Sequence, residues 1–354
     1  MKWLYAMLVF VPISIILKFA GASPTLVFVT SALAIIPLAG IMGTATEELA
    51  KHLGSSIGGL LNATFGNAAE LIITIIALRA GELEVVRASI IGSIIGNILL
   101  VLGLSVFLGG LKYKTQTFSK DVAGAHTVML ILAVIGILTP SLFVHAMPGP
   151  FDASAEQRVE QLSLWVSGLL IALYIGSLWF CLHSHQDMFR GGEEEEWEPP
   201  VWKKRTAYLV LAGATALVGW ESELLVHAIG PTVEASKLSK LFVGIIVIPI
   251  IGNAAEHATA VVMALKNKMD VTLNICVSSS TQIAFFVAPL IVFLSIPFGH
   301  PMPFIFNDFE LIAVGFSALI AAFIARDGRC DWLEGAQLLA VYAILALAFY
   351  FIPK

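Results

Sequence analysis

The chain is a succession of long apolar runs separated by short polar connections. A helix needs about 20 mostly apolar residues to cross the hydrocarbon core of a bilayer. Eleven runs meet that measure: Trp3–Ala20, Pro24–Gly43, Ile57–Ala80, Val85–Leu108, Ala123–Val144, Leu162–Leu182, Thr206–Ile229, Leu241–Leu265, Val271–Leu294, Phe309–Ala325 and Leu333–Ile352. One connection is long. Phe180 to Arg205 holds Glu193-Glu194-Glu195-Glu196-Trp197-Glu198-Pro199-Pro200, which reads as a linker between two halves. The first run has a basic residue at position 2 and small residues at Ala20-Gly21-Ala22, as a signal peptide would. With ten further spans behind it, it reads as an uncleaved helix.

Composition sharpens this picture. Of 354 residues, 58% are hydrophobic and 13% charged, and the mean hydropathy is +0.89. A soluble domain carries about a quarter charged residues. Half that charge leaves too little polar surface to cover a globule, which excludes a soluble enzyme, a nucleic-acid binder and a disordered hub. The net charge of −5 offers no basic surface to nucleic acid. Cys181, Cys276 and Cys330 are scattered, with neither metal-ligand spacing nor a disulfide framework.

Lysine and arginine placement sets the orientation. With sides alternating across eleven spans, the N-terminal side carries thirteen and the other seven. The N-terminus and the acidic linker are therefore expected in the cytoplasm and the C-terminus outside, in a multi-pass protein of the cell membrane.

A repeat organises the spans. Gly66-Asn67-Ala68-Ala69-Glu70 in the third span recurs as Gly252-Asn253-Ala254-Ala255-Glu256 in the eighth, 186 positions later. Ser93 and Asn97 in the fourth span precede Ser278 and Gln282 in the ninth by 185 positions, and Glu48-Leu49 resembles Glu223-Leu224. The repeating unit is thus five spans, and an odd number turns one copy upside down relative to the other. That is the plan of secondary transporters, whose binding sites lie at the repeat interface near the bilayer midplane. The expected fold is all-α and polytopic: an extra N-terminal transmembrane helix (1–22), a first five-helix repeat (23–183), the acidic cytoplasmic linker (184–205) and a second, inverted repeat (206–354).

A carboxylate inside an apolar span costs several kcal/mol unless it is paired, protonated or facing water. The plain reading of one such residue is a neutral acid bonding two helices. Glu70 and Glu256 occupy equivalent places in inverted copies, so a pseudo-two-fold axis can bring them face to face. Two facing carboxylates suit a hard divalent cation, and calcium adds amide, hydroxyl and carbonyl oxygens to its carboxylates. Asn67 and Asn253 lie one helical turn before the glutamates, on the same face. Ser93 with Asn97, and Ser278 with Gln282, are four apart and share a face in their own spans. His257 points to another face and reads as a packing or proton-relay residue. Gly58, Gly59, Gly92, Gly96 and Gly244 suit close helix packing, whereas Gly66 and Gly252, beside the glutamates, suit a bend at the site. Without metal the two carboxylates repel, so protons compete for the same site. A site that holds either a divalent cation or protons, but is never empty, gives obligatory exchange.

At these residues the sequence resembles the calcium/cation antiporter superfamily, in its cation/proton exchanger branch typified by Ca²⁺/H⁺ antiporters. The matching stretches are 60–71, 92–103, 251–257 and 280–284, and the likeness runs over nearly the whole chain. The resemblance implies export of cytosolic Ca²⁺ driven by inward proton movement. Glu70 and Glu256 are then the central acids, and Asn67, Asn253, Ser93, Asn97, Ser278 and Gln282 accessory polar ligands. Ca²⁺, H⁺ and the lipid bilayer are the partners, with no bound cofactor, no enzymatic reaction and no nucleic acid, and a homo-oligomer is compatible with the sequence. A Na⁺-coupled Ca²⁺ exchanger is the closest competing reading and a cation channel a more distant one. The Na⁺/Ca²⁺ branch has a Ser/Thr-rich motif ending in Pro-Glu where this chain has Gly-Asn-Ala-Ala-Glu. Glu193, Glu194, Glu195 and Glu196 suit a solvated loop or a cation-concentrating sensor. Glu48, Glu221 and Glu223, at span ends, either line an entrance or meet solvent.

Overall fold

A computed structural model describes residues 5–53, 58, 60–61, 64–149, 151–184 and 199–352. Its helices, in chain order, are α1 (Met7–Phe19), α2 (Pro24–Leu53), α3 (Ala68–Arg79), α4 (Leu83–Tyr113), α5 (Lys120–Ala146), α6 (Ala153–Ser184), α7 (Lys204–Ser236), α8 (Lys240–Gly252), α9 (Ala254–Leu265), α10 (Met269–Ser295), α11 (Asp308–Asp327) and α12 (Trp332–Phe351). Eight of these are long and apolar enough to cross a membrane among the described residues, and α8 with α9, bent by 63° at their junction, make a ninth. The protein is polytopic and almost wholly helical. The third expected span falls partly outside the described residues, as does the acidic run Glu193–Glu196.

Side chains sort by the medium they face. Trp165, Leu169 and Ile175 on α6 and Phe316 and Phe323 on α11 are exposed, as lipid-facing residues are. Inside, α4 and α10 are the most enclosed spans, and close approach there depends on small residues. A methyl group at Gly92 on α4 would collide with the backbone of Ile245 on α8; one at Gly244 on α8 would meet the Ala88 Cβ of α4. The α4–α8 crossing is therefore closed from both sides by a glycine.

Helix starts follow from polar caps, each contributing about 1 kcal/mol. Ser119, Asp152 and Ser239 cap α5, α6 and α8. Asn307 with Glu310 and Asp331 with Glu334 form reciprocal capping boxes on α11 and α12.

One element is absent from an all-helix expectation. Strand β1 (Thr115–Thr117), after α4, pairs antiparallel with β2 (Arg329–Asp331), before α12, with Gln116 opposite Cys330. Gln116 is buried, and its Nε2 donates to the Ala264 carbonyl at 2.8 Å and to Asn267 Oδ1 at 3.0 Å. Lys112 Nζ and Tyr113 Oη donate to the Leu265 carbonyl at 2.8 and 2.9 Å. These donors satisfy the Leu265 carbonyl at the end of α9 and add to the Ala264 carbonyl, which also accepts from the Asn267 N–H at 2.9 Å.

Candidate functional site

The two copies of Gly-Asn-Ala-Ala-Glu break their helices at the same letter. Asn67 sits at φ −95°, ψ 20° and Asn253 at φ −103°, ψ 8°, both outside helical geometry, and α3 and α9 begin at the next residue. Each new helix opens with the same bond: Leu71 N–H to the Asn67 carbonyl and His257 N–H to the Asn253 carbonyl, both 2.9 Å. Glu70 and Glu256 are consequently the third residues of two half-helices, at the positive ends of their dipoles. The breaks face each other, since a Cβ at Gly252 would lie 3.5 Å from Cα and Cβ of Glu70. The bend expected at Gly252 is present, with Asn253 taking the non-helical conformation, and beside Gly66 the equivalent Asn67 likewise leaves helical geometry.

Between the breaks lies a buried polar network that crosses from one repeat to the other. Asn67 Nδ2 donates to Gln282 Oε1 at 2.9 Å. Ser279 Oγ lies 2.9 Å from Asn67 Oδ1 and 2.8 Å from Glu256 Oε2, and accepts from Asn97 Nδ2 at 3.1 Å. Asn253 Nδ2 donates to Ser93 Oγ at 3.4 Å, and His257 Nε2 lies 3.1 Å from Asn97 Oδ1. The Glu70 carboxylate is 2% exposed, and neither oxygen has a hydrogen-bond partner among the described residues. Its neighbours are the Glu256 carboxyl group, whose charge acts on it, and the Asn253 side-chain amide, a donor turned toward it from beyond hydrogen-bond geometry. A buried polar atom without a partner is rare in native proteins and calls for a specific account.

Of the sequence-predicted site residues, Glu70, Glu256, Asn67, Asn253, Ser93, Asn97 and Gln282 come together here. Ser278 does not: its hydroxyl donates to Asn274 Oδ1 at 2.7 Å and faces His126 Nδ1 at 3.3 Å. Ser279 takes the inward place. Its backbone comes after a π-helical turn at Asn274–Ser278, and the extra residue of such a turn rotates the downstream side chains by about 100°. Three consecutive serines at 278–280 make that rotation invisible to spacing alone. His257 likewise joins the site's edge through Asn97.

The acids expected at span ends have three different fates. Glu223 is exposed. Glu48 is buried and already partnered, accepting from Lys51 Nζ at 3.1 Å and from the Trp202 N–H at 2.7 Å, so it anchors the segment before α7 rather than lining an open entrance. Glu221 lies in the middle of α7 and is fully buried, meeting neither solvent nor an entrance.

The family model described as sodium/calcium exchanger protein matches residues 23–183 and 206–351. A Ca(2+)/H(+) antiporter of Synechocystis is 45% identical over 368 residues, covering 99% of this chain and 98% of its own. The Ca(2+)/H(+) antiporter ChaA of Bacillus subtilis is 43% identical over 344 residues, covering 96% of each. The crystal structure of the Ca2+/H+ antiporter protein YfkE superposes with a TM-score of 0.85 at 40% identity, over 99% of this chain and 100% of that one. The chain therefore belongs to the sodium/calcium exchanger protein family, in its cation/proton exchanger branch.

Proposed function

We propose that this protein exports cytosolic Ca²⁺ in exchange for protons, by alternating access to a site centred on Glu70 and Glu256. The observation that carries the reading is the Glu70 carboxylate: enclosed, without a hydrogen-bond partner among the described residues, and beside a second, half-buried carboxyl group, Glu256, across the repeat interface. Such a group is stable only with a proton or a cation on it.

Hydrogen counting supports the proton-loaded form. Ser279 has one hydrogen and two lone pairs. The Asn67 amide already donates through Nδ2 to Gln282, so its Oδ1 takes the Ser279 hydrogen. Asn97 fills one lone pair of Ser279. The short contact with Glu256 is then satisfied by a proton on the carboxyl group, which donates to the remaining lone pair. Loss of protons from both glutamates frees up to four carboxylate oxygens, with Asn67, Asn253, Asn97, Gln282, Ser93 and Ser279 as neutral donors of the kind calcium accepts. Ser278 stays outside this set unless α10 rotates. Among the described residues no group of three or more His, Cys, Asp or Glu side chains forms. Two carboxylates with amides suit a cargo ion that must leave again. The names of the relatives, over essentially the whole chain, support the same substrates.

The proposed location is the cell membrane, with the N-terminus and the acidic linker in the cytoplasm. The test is Ca²⁺ uptake into proteoliposomes under an imposed pH gradient, with and without a sodium gradient. Uptake that needs the pH gradient, ignores sodium and is lost in Glu70→Gln is expected. Uptake that follows sodium overturns proton coupling in favour of Na⁺ exchange, and uncoupled flux points to a channel.

A further inference from the structure

A third carboxyl group is sealed among the helices, apart from the Glu70–Glu256 pair. Glu221, mid-way along α7, is 0% exposed. Its Oε1 lies 2.7 Å from Ser14 Oγ on α1, and Ser31 on α2 faces it as well. Its Oε2 is buried without a partner among the described residues, as is the hydroxyl of neighbouring Ser222. The helix α1 lies outside both copies of the repeat, so this cluster has no counterpart in the other half.

Among the described residues no charged group compensates Glu221. From α1 and α2 the facing groups are the two hydroxyls. On α7 itself Glu223 and His227 are exposed, and His227 is bonded to the Glu223 carbonyl. Packed against α7, α3 brings Glu70 and the start of α8 brings Lys240, which is paired with Glu82 at 2.6 Å. No ion pair involves Glu221 among the described residues. The hydrogen count fits a protonated acid. Ser14 Oγ lies 2.8 Å from the Val11 carbonyl and 2.7 Å from Glu221 Oε1, with a single hydrogen for the two acceptors. Both contacts are closed at once only when Glu221 carries a hydrogen of its own and donates it to Ser14.

We propose that Glu221 is a second proton-binding site of this protein, built where α1 meets the α2–α7 pair and distinct from the Glu70–Glu256 centre. Binding converts the carboxylate to the acid with no other bond made or broken. The proton returns to water only when the α1–α2–α7 seam opens, because the carboxyl group has no exposed surface while the three helices are packed. Proton occupancy of Glu221 therefore favours the packed seam, and its loss favours an open one. This inference rests on the proton-coupled reading of the central site, and the two fail separately.

The experiment measures Ca²⁺ uptake against pH in proteoliposomes for the wild type and for Glu221→Gln, Glu221→Asp and Ser14→Ala. In Glu221→Gln the steepness of the pH dependence is expected to fall by one proton. Glu221→Asp keeps the steepness, and Ser14→Ala keeps it with a displaced midpoint. A Glu221→Gln profile that superimposes on the wild type overturns the proposal, as does identical behaviour of Gln and Asp, which marks a structural acid. Should Glu221→Gln fail to insert, an unmoved Ser14→Ala midpoint overturns it alone. A wild type that shows no proton coupling, or an active Glu70→Gln, instead overturns the central reading.

Discussion

Asn67 of the first repeat donates its amide hydrogen to Gln282 of the second across 2.9 Å, and so ties the break beside Glu70 to the helix that supports Glu256. The two halves of the site are in this way one hydrogen-bonded unit. A change of ligand at Glu256 reaches Asn67 and Asn97 of the first repeat through Ser279 of the second.

Glu70→Gln and Glu256→Gln should each abolish exchange while the protein still inserts and folds. Gln keeps the shape but cannot alternate between charged and neutral forms. A loss of at least about 3 kcal/mol in cation binding, roughly a hundredfold in affinity, is expected from removing one of two anionic ligands. Isothermal titration with Ca²⁺ and proteoliposome uptake check it, and wild-type uptake by either variant refutes it.

Ser279→Ala and Ser278→Ala separate the two candidate serines. Ser279 touches Asn67, Asn97 and Glu256, so its loss leaves two buried amides and a half-buried carboxyl group short of a partner. A hydrogen bond to a charged group contributes about 1.5–3 kcal/mol, so Ser279→Ala should raise the apparent KM for Ca²⁺ roughly tenfold. Ser278→Ala should change it little. The opposite ranking would mean that α10 presents Ser278, not Ser279, to the ion.

Gly92→Ala should cost far more than Gly96→Ala, one helical turn away. A methyl at Gly92 collides with the Ile245 backbone, whereas one at Gly96 meets nothing within 4 Å. Overpacking costs about 1–3 kcal/mol or more, while an unstrained Gly→Ala change in a helix gains up to about 1 kcal/mol. Thermal unfolding in detergent reads the difference directly, and equal melting temperatures would contradict the α4–α8 contact.

Asp152 gives a pH test outside the membrane. The Ser154 hydroxyl, followed by the Ala155 N–H, holds its carboxyl below the usual range at the start of α6. A lowered value means that the cap stabilises the fold at neutral pH and loses that effect as pH falls through the folded-state value. Asp152→Ala should accordingly lower the melting temperature at neutral pH and converge with the wild type in strong acid. A difference that grows on acidification would contradict the cap.

Much of this was legible in the residues themselves. Apolar runs locate the long helices because lipid leaves the backbone no other way to satisfy its polar groups. The five-letter repeat singles out Glu70 and Glu256 because a carboxylate inside a span is rare enough to stand out. Register was harder. The π-helical turn that brings Ser279 inward leaves no mark in a run of serines, and the i, i+4 rule then selects Ser278. Glu221 lies toward the end of its apolar run, but the helix continues to Ser236, so chain position misjudges its depth. The β1–β2 pair depends on two loops more than 200 residues apart meeting in space, which no local pattern encodes.

That strand pair also sets an order of assembly. Residues 115–117 leave the ribosome long before 329–331, and closing so long a loop is entropically costly until the intervening helices have folded. Until then Gln116 lacks the strand that fixes it beneath the last turn of α9. A nascent chain released before residue 329 carries every residue of the central network yet lacks this latch. Pairing of the two strands thus fastens the half-helix that bears Glu256, so a chain cut before residue 329 lacks what holds that part of the proposed ion site in place.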